Sequence, residues 1–336
     1  MTVHCTGLGV ALPDETITGA EIAARSGIPE SVVVEKMGVR SKHVADGQQP
    51  SDLCVSAAER ALRDADVDPN TLDLVSYHGS ELKDHVVWSL AADVTERIGA
   101  TDAYASESYA LCAGAPVAIR EARAQIEAGS VDRALLVSAS REEDLVDYED
   151  EDTSFMFNFG SGASAMVLEA DASDRALATV RESAAITDGS FSRDVIVPAG
   201  GTAHPTTAET VERGMHSLRV PDHESMKARL AEVSLPNFLS VADQALERSG
   251  YDREAVDFAA ITHMKRSFHQ HLCEQLGLGE TDHFYLDEYG HVQSVDQGLA
   301  TSEARDRGWL DQGDVVLFLA AGTGYTWAAT VLEWDG

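Results

Sequence analysis

AERALRDADVDPNTLDLV (58–75) aligns without a gap on ADQALERSGYDREAVDFA (242–259), 184 residues downstream. The identities are Ala58/Ala242, Ala61/Ala245, Leu62/Leu246, Asp68/Asp252 and Asp73/Asp257. Each copy reads as an amphipathic helix, a polar turn and a short apolar strand. Five matches in eighteen also arise between unrelated helix–turn–strand units, so a second match carries more weight. VDRALLVSAS (131–140) and GDVVLFLAAG (313–322) both run from a turn into an apolar strand that ends in small residues, at an offset of 182. Two matches at nearly one spacing point to an ancient duplication, with two similar halves packing their sheets against shared helices.

Around these segments the rhythm stays α/β. Strands are predicted at Leu72–Tyr77, Ala134–Ser138, Ala163–Leu168, Phe258–Thr262 and Val315–Ala320. Helices are predicted at 51–65, 84–98, 112–128, 237–249 and 266–276. Residues 142–152 (EEDLVDYEDED) read as a solvated acidic loop. The stretch 187–225 is rich in Gly, Pro, Thr and His, and its lack of periodicity marks a long surface excursion able to cover a site. Its His204, His216 and His223 have irregular spacing and read as solvated loop histidines rather than metal ligands.

The 336 residues with 44% hydrophobic content suffice for one large or two ordinary domains. The formal charge of −32, from 57 acidic against 25 basic residues, argues against nucleic acid or an anionic membrane as partner. Only five of the basic residues are lysine: Lys36, Lys42, Lys83, Lys227 and Lys265. Met1–Pro13 lacks the basic and apolar regions of a secretory leader, and no run reaches the roughly 18 apolar residues of a membrane span, so a cytoplasmic protein is expected. Cys5, Cys54, Cys112 and Cys273 are far apart without CxxC spacing, which argues against a disulfide framework or a structural zinc site.

Among the cysteines, Cys112 is set apart by its surroundings. It stands between Tyr109-Ala110-Leu111 and Ala113-Gly114-Ala115, just ahead of a helical stretch. There the helix dipole and free amides favour thiolate, the form that attacks carbonyls, and small neighbours leave room for an acyl chain. The other three cysteines read as buried and inert. His263 follows a strand of the second copy, at the strand end where α/β proteins place functional groups. His291 follows Gly290, whose freedom lets the backbone bring a side chain close to a neighbour. The glycine-rich FGSGA (159–163) and AAGTGY (320–325) fit neither GxGxxG nor a P-loop, and read as tight turns whose exposed amides suit an oxyanion.

Taken in order, GLGVALP (7–13), KMGVRSKH (36–43), LCAGA (111–115), NFGSGASAMVL (158–168), ITHMKRS (261–267), YLDEYGH (285–291) and AAGTGYTW (320–327) form a set that resembles the β-ketoacyl-acyl carrier protein synthase III group of the thiolase superfamily. The resemblance implies a duplicated, five-layered αβαβα fold, with an N-terminal half (1–172) carrying the nucleophilic cysteine and a C-terminal half (173–336) carrying the catalytic histidines. It also implies a homodimer. By resemblance, Cys112 takes an acyl group from an acyl-CoA, and malonyl-CoA or a malonyl-acyl carrier protein loses carbon dioxide and attacks the acyl-enzyme to give a 3-oxoacyl product. His263 would polarise the malonyl carbonyl, and the amides of Cys112 and Thr323 would form the oxyanion hole. CoA and carrier-protein thioesters are substrates here; no metal or other cofactor is implied.

Several positions depart from that pattern. His291 stands where the family usually has asparagine. As a neutral imidazole it donates one hydrogen bond as an amide does; as a base it opens the site to an alcohol, an amine or another carbon acid. Thr323 replaces the middle glycine of a triple-glycine loop. Lys36 replaces an arginine that meets CoA phosphates, and Val32 an adenine-stacking tryptophan. Lys265 and Arg266 add charge at the rim of the CoA tunnel or recognise a second carboxylate on the acyl group. Trp88 lies near the segment that closes the acyl pocket in relatives, or in the core. A non-catalytic partner subunit of the same fold is the expectation from another class.

Overall fold

The structure is a computed structural model that describes all of residues 1–336. Nine strands form the main sheet: β1 (Val3–Ala11), β2 (Leu74–His78), β3 (Tyr104–Ser108), β4 (Arg133–Ser140), β5 (Gly162–Ala170), β6 (Ala178–Thr187), β7 (Val256–Ile261), β8 (Val315–Gly322) and β9 (Thr326–Trp334). Their order is β3-β2-β4-β5-β1-β6-β9-β8-β7. The arrangement mirrors itself about the β1·β6 junction, where only His4↔Thr179 and Cys5↔Ala178 pair. On each side an antiparallel pair leads outward to a parallel one: β5 and β4 to β2 in the first half, β9 and β8 to β7 in the second.

Helices α1 (Pro50–Ala65), α2 (Leu90–Ile98), α3 (Gly114–Glu127), α4 (His223–Ser249), α5 (Arg266–Leu276) and α6 (Asp296–Asp306) cover the strands. Strand period two sorts each strand's side chains between two faces. Leu74, Ala134, Leu136, Phe258, Ala260, Val316 and Phe318 share one core with Ile119 of α3 and Leu299 of α6. Val75, Tyr77, Leu135 and Val137 face the other way, onto α1 and α2. Ala259, Ile261, Leu317 and Leu319 likewise face α4 and α5. Five layers result: α1/α2, five strands, α3/α6, four strands and α4/α5.

The repeated residues keep their roles. Ala58, Ala61 and Leu62 are buried under the first half-sheet, as Ala242, Ala245 and Leu246 are under the second. Asp68 accepts from the amide of Asn70, and Asp252 from that of Glu254, each opening a short 3₁₀ turn. Asp73 accepts from the Arg133 amide at 2.9 Å and Asp257 from the Val315 amide at 2.8 Å, so each pins the start of the next strand. All five identities are therefore structural.

Elsewhere the elements depart from the sequence reading. The helix expected from 84 starts at Leu90, because Ser89 caps it by accepting from Ala92; the chain before it is irregular, with Val86 and Val87 exposed. The helix expected from 237 starts at His223 and runs through Pro236. Proline removes one donor, but the Asp222 cap and buried Met226 hold the first turns. The acidic run is only partly a solvated loop: Glu142 is buried and Glu143 half-buried, accepting from the hydroxyls of Ser140 and Ser161 respectively. The 187–225 excursion is largely irregular but buries Phe191, Ala199 and Val220, the last against Phe159. His204, His216 and His223 are not brought together. No helix is long and apolar enough to cross a membrane.

Close contact between β1 and α1 depends on Gly7 and Gly9. A Cβ on Gly7 would lie 2.2 Å from the Ala61 carbonyl, and one on Gly9 2.2 Å from the Ala57 carbonyl. A two-residue step along the strand thus matches one helical turn, and the alanines of α1 seat on bare backbone. Gly9→Ala is expected to force the helix outward and to lower unfolding stability by about 1–3 kcal/mol, measured by urea denaturation. Unchanged stability would contradict this packing.

Candidate active site

Cys112 sits on a 3₁₀ turn, Leu111–Ala113, directly ahead of α3, as the sequence leads one to expect. The turn is tight: Leu111 adopts φ +50°, and its amide donates to the Gly79 carbonyl at 3.1 Å. Gly322 at the end of β8 makes room for it, since a Cβ there would meet the Ala110 carbonyl at 2.2 Å and the Cys112 nitrogen at 3.1 Å. Thr323 follows in the β8–β9 turn. Neither the Cys112 nor the Thr323 amide has a carbonyl partner. Two unpaired N–H groups therefore belong to the Cys112 turn and to the residue after Gly322, which packs on that turn. Burial pushes the thiols of Cys5 and Cys273 up to about 12 and raises that of Cys54, and none of the three lies against His291.

His291 arrives through Gly290, which has φ +73° and leaves no room for a Cβ, the Asn158 carbonyl lying 2.3 Å from where it would be. The His291 backbone locks to the neighbouring loop by two hydrogen bonds, His291 N–H to the Asn158 carbonyl (2.8 Å) and Gly160 N–H to the His291 carbonyl (2.9 Å). Buried Lys42 holds that loop from behind, donating to the carbonyls of Phe157 and Phe159. The His291 Nε2 lies 3.1 Å from Cys112 Sγ and the His291 Nδ1 2.6 Å from Asp296 Oδ2. Burial alone would depress its pKa, but the Asp296 carboxylate and the Cys112 sulfur outweigh it and hold the imidazole well above the usual histidine range. A thiol, an imidazole and a carboxylate form a continuous relay.

Asp296 was not singled out in the sequence. It is fully buried in the first turn of α6 and accepts three hydrogen bonds: Val292 N–H on Oδ1, His263 N–H on Oδ2, and the His291 ring on Oδ2. The available signal was an acid five residues after His291, at the start of a helix.

His263 shares Asp296 through its backbone but has no hydrogen bond to Cys112. Its Nε2 donates to the Gly38 carbonyl at 3.1 Å, and its Nδ1 accepts from the Asn158 side chain at 3.0 Å. Burial lowers its pKa to about 4, so the ring is neutral, and Tyr285 stacks on it at 4.9 Å. The two histidines thus meet at one carboxylate, His263 by its backbone amide and His291 by its ring, and only His291 reaches the sulfur. Asn158, within a motif quoted above, was also missed as a site residue.

The charged candidates lie farther out. Lys36 is exposed on the turn at Val32–Met37, next to Gly38, and Lys265 is exposed immediately before α5, which packs on that turn. Neither lysine has a carboxylate partner, whereas Lys83 pairs with Glu107 and Lys227 with Glu224. Arg266 is committed to Asp287 at 2.8 Å and lies over the Tyr285 ring. Trp88 is half-buried against the outer core of the first half, its ring edge-on to His85 and its carbonyl held by Lys83.

The chain matches two family descriptions, 3-Oxoacyl-[acyl-carrier-protein (ACP)] synthase III over residues 107–189 and its C-terminal counterpart over residues 246–334. Proteins named beta-ketoacyl-[acyl-carrier-protein] synthase III align along nearly their whole length. The one from Desulfitobacterium hafniense (strain Y51) is 28% identical, over 100% of this chain and 98% of its own. That from Bradyrhizobium sp. (strain BTAi1 / ATCC BAA-1182) is 29% identical, over 98% of each. Among solved structures, the 3-oxoacyl-(acyl carrier protein) synthase III of Pseudomonas aeruginosa PAO1 superposes with a TM-score of 0.87 at 22% identity, covering 100% of this chain and 99% of that one, and so shares the fold. With a thiolase-like layered fold and family matches that together span more than half its length, the chain belongs to the synthase III-like condensing enzymes of the thiolase superfamily and is an enzyme of acyltransferase chemistry.

Proposed function

We propose that the protein passes an acyl group from a CoA or carrier-protein thioester through Cys112 to a hydroxyl or amine acceptor. The observation that carries this reading is the Cys112–His291–Asp296 relay, because an imidazole backed by a buried carboxylate is a general base that an amide in its place is not. In the first half-reaction, His291 takes the thiol proton, the sulfur attacks the thioester carbonyl, and the carbonyl oxygen turns to the Cys112 and Thr323 amides. The departing thiolate leaves with the proton from His291. In the second, His291 takes the acceptor's proton as its oxygen or nitrogen attacks, and Cys112 leaves as thiolate. Lys36 and Lys265, unpaired in a strongly acidic chain, would meet the phosphates of the donor. The halves 1–172 and 173–336 would then divide nucleophile from base, and exposed Val86 and Val87 beside Trp88 would lie at a homodimer face.

Decarboxylative condensation with a malonyl thioester is the second reading, favoured by the names of the relatives aligned end to end. It calls for two N–H donors on the malonyl carbonyl, and both nitrogens of His263 are engaged with Gly38 and Asn158. One experiment separates the two. Incubation with an acyl-CoA should add one acyl mass to the intact protein, and Cys112→Ala should show none. A stable adduct on Cys112 also excludes a non-catalytic subunit. The loaded enzyme offered hydroxyl or amine acceptors should release acyl ester or amide, and offered labelled malonyl-CoA should release no carbon dioxide. Acyl-dependent carbon dioxide release would overturn the proposal in favour of condensation.

Asp296→Asn tests the relay. Its removal takes away the charge that holds the His291 proton above the usual histidine range, so the imidazolium needed to protonate the departing thiolate is lost at lower pH. The variant is expected to load Cys112 about 10²-fold more slowly or worse, with the alkaline limb of the pH profile of loading displaced to lower pH. An unchanged limb in stopped-flow or quenched mass spectrometry would show that Asp296 does not tune His291.

A further inference from the structure

Three side chains outside the relay converge beside α5. His269 and Cys273 lie one turn apart on that helix and share a face. His283 comes to them from the segment after the helix, where its backbone runs parallel beside Ala259 of β7. One ligand atom of each residue lies within 4.8 Å of the other two. His269 Nε2 and His283 Nδ1 are 3.1 Å apart. His269 and Cys273 are buried, His283 is half-buried, and no carboxylate bonds to either ring.

This cluster is poorly explained as packing alone. Buried imidazoles usually find a carbonyl or carboxylate on each nitrogen, yet His269 Nε2 meets only the His283 ring and His269 Nδ1 has no partner at all. In a tetrahedral zinc site, nitrogen at about 2.0–2.1 Å and sulfur at about 2.3 Å from the metal put ligand atoms slightly over 3 Å apart, close to the spacing of the two rings. One thiolate with two imidazoles is a borderline-soft donor set, suited to zinc and poorly suited to magnesium or calcium.

We propose that His269, Cys273 and His283 bind one zinc ion. On binding, the Cys273 thiol gives its proton to solvent as the sulfur–zinc bond forms, and the hydrogen between the two rings moves to a nitrogen that does not ligate. No electrons are transferred. The absence of CxxC spacing does not exclude such a site, because the ligands come from helical spacing plus a distant loop. The ion would clamp α5 to the segment carrying Tyr285, whose ring lies 4.7 Å from His269 and 4.9 Å from His263. It would therefore brace the wall behind His263 without touching the reacting sulfur.

The test uses the full chain, dialysed against chelator, reloaded with zinc sulfate, desalted and assayed for metal. One equivalent per chain is expected, retained by Cys112→Ala and lost from Cys273→Ser and from His283→Ala, whose ring is half-exposed and whose folding far-UV circular dichroism verifies. Cobalt in place of zinc should give a thiolate-to-metal absorption band that Cys112→Ala keeps and Cys273→Ser lacks. Metal-free wild type after desalting, retention of one equivalent by both cluster variants, or loss of metal in Cys112→Ala would each overturn the assignment; the last would place the ion on the active-site thiol.

Discussion

A single fully buried carboxylate, Asp296, organises the centre of this molecule. An ionised group removed from water costs several kcal/mol unless hydrogen bonds replace its hydration. Here the replacements are two backbone amides and one imidazole, drawn from the adjacent His291–Val292 turn and from the end of β7, which is distant in sequence. The Val292 amide fixes the turn ahead of α6, the His263 amide ties the end of β7 to that turn, and the imidazole hands the charge on to Cys112. The same three bonds that make the carboxylate tolerable also align the chemistry. A neutral residue of the same shape would relieve the desolvation cost, but it would leave His291 with no reason to hold a proton.

The surrounding fold makes this meeting possible by close approach at a few places. Gly290 brings His291 onto the Asn158 carbonyl, and Gly322 lets the end of β8 touch the turn that carries Cys112. Both belong to the second half, while the loop at Asn158 and the turn at Cys112 that they press against belong to the first. The shared helices α3 and α6 lie between the half-sheets, each with its N-terminus at the junction: α3 begins just after Cys112, and α6 begins at Asp296. Duplicated halves therefore contribute equivalent helix starts with opposite chemistry. A nucleophile precedes one, where the dipole favours negative charge, and a carboxylate opens the other for the same reason.

How much of this is legible in the sequence follows from the range of the forces involved. The duplication could be read because its markers are local: alanines facing a sheet, and aspartates that cap the next turn or strand. Cys112 and Gly290-His291 could be read because each signal lies within a few residues. Asp296 could not, since its importance comes from a fold that brings the His291 ring and the His263 amide, 33 residues away, onto it, and an acid in a first helical turn has an ordinary explanation in the dipole. Nor could the commitment of His263 to Gly38 and Asn158, which joins three remote segments. Glu142 and Glu143 belong to a run that composition marks as solvated, and only tertiary folding turns them inward. Pro236 shows the opposite error, a local breaker overruled by packing on both sides.

The placement of the lysines bears on how a highly charged thioester could approach a chain with a net charge of −32. Long-range attraction is unavailable, and at physiological salt the field of distant carboxylates is screened beyond about 8 Å. Whatever anionic group docks must therefore meet local cations. Lys42 is buried, and Lys83 and Lys227 are paired. Of the lysines, Lys36 and Lys265 alone remain unpaired, on two segments packed against each other at Gly38 and α5, where the neighbouring Arg40 and Arg266 share the single carboxylate of Asp287. A short-range pair of flexible ammonium groups binds phosphate as point charges and not as a planar fork. Recognition of the donor at this mouth would then be loose in orientation, leaving the tight turn at Cys112 and the Asp296-held imidazole to set where the thioester carbonyl comes to rest.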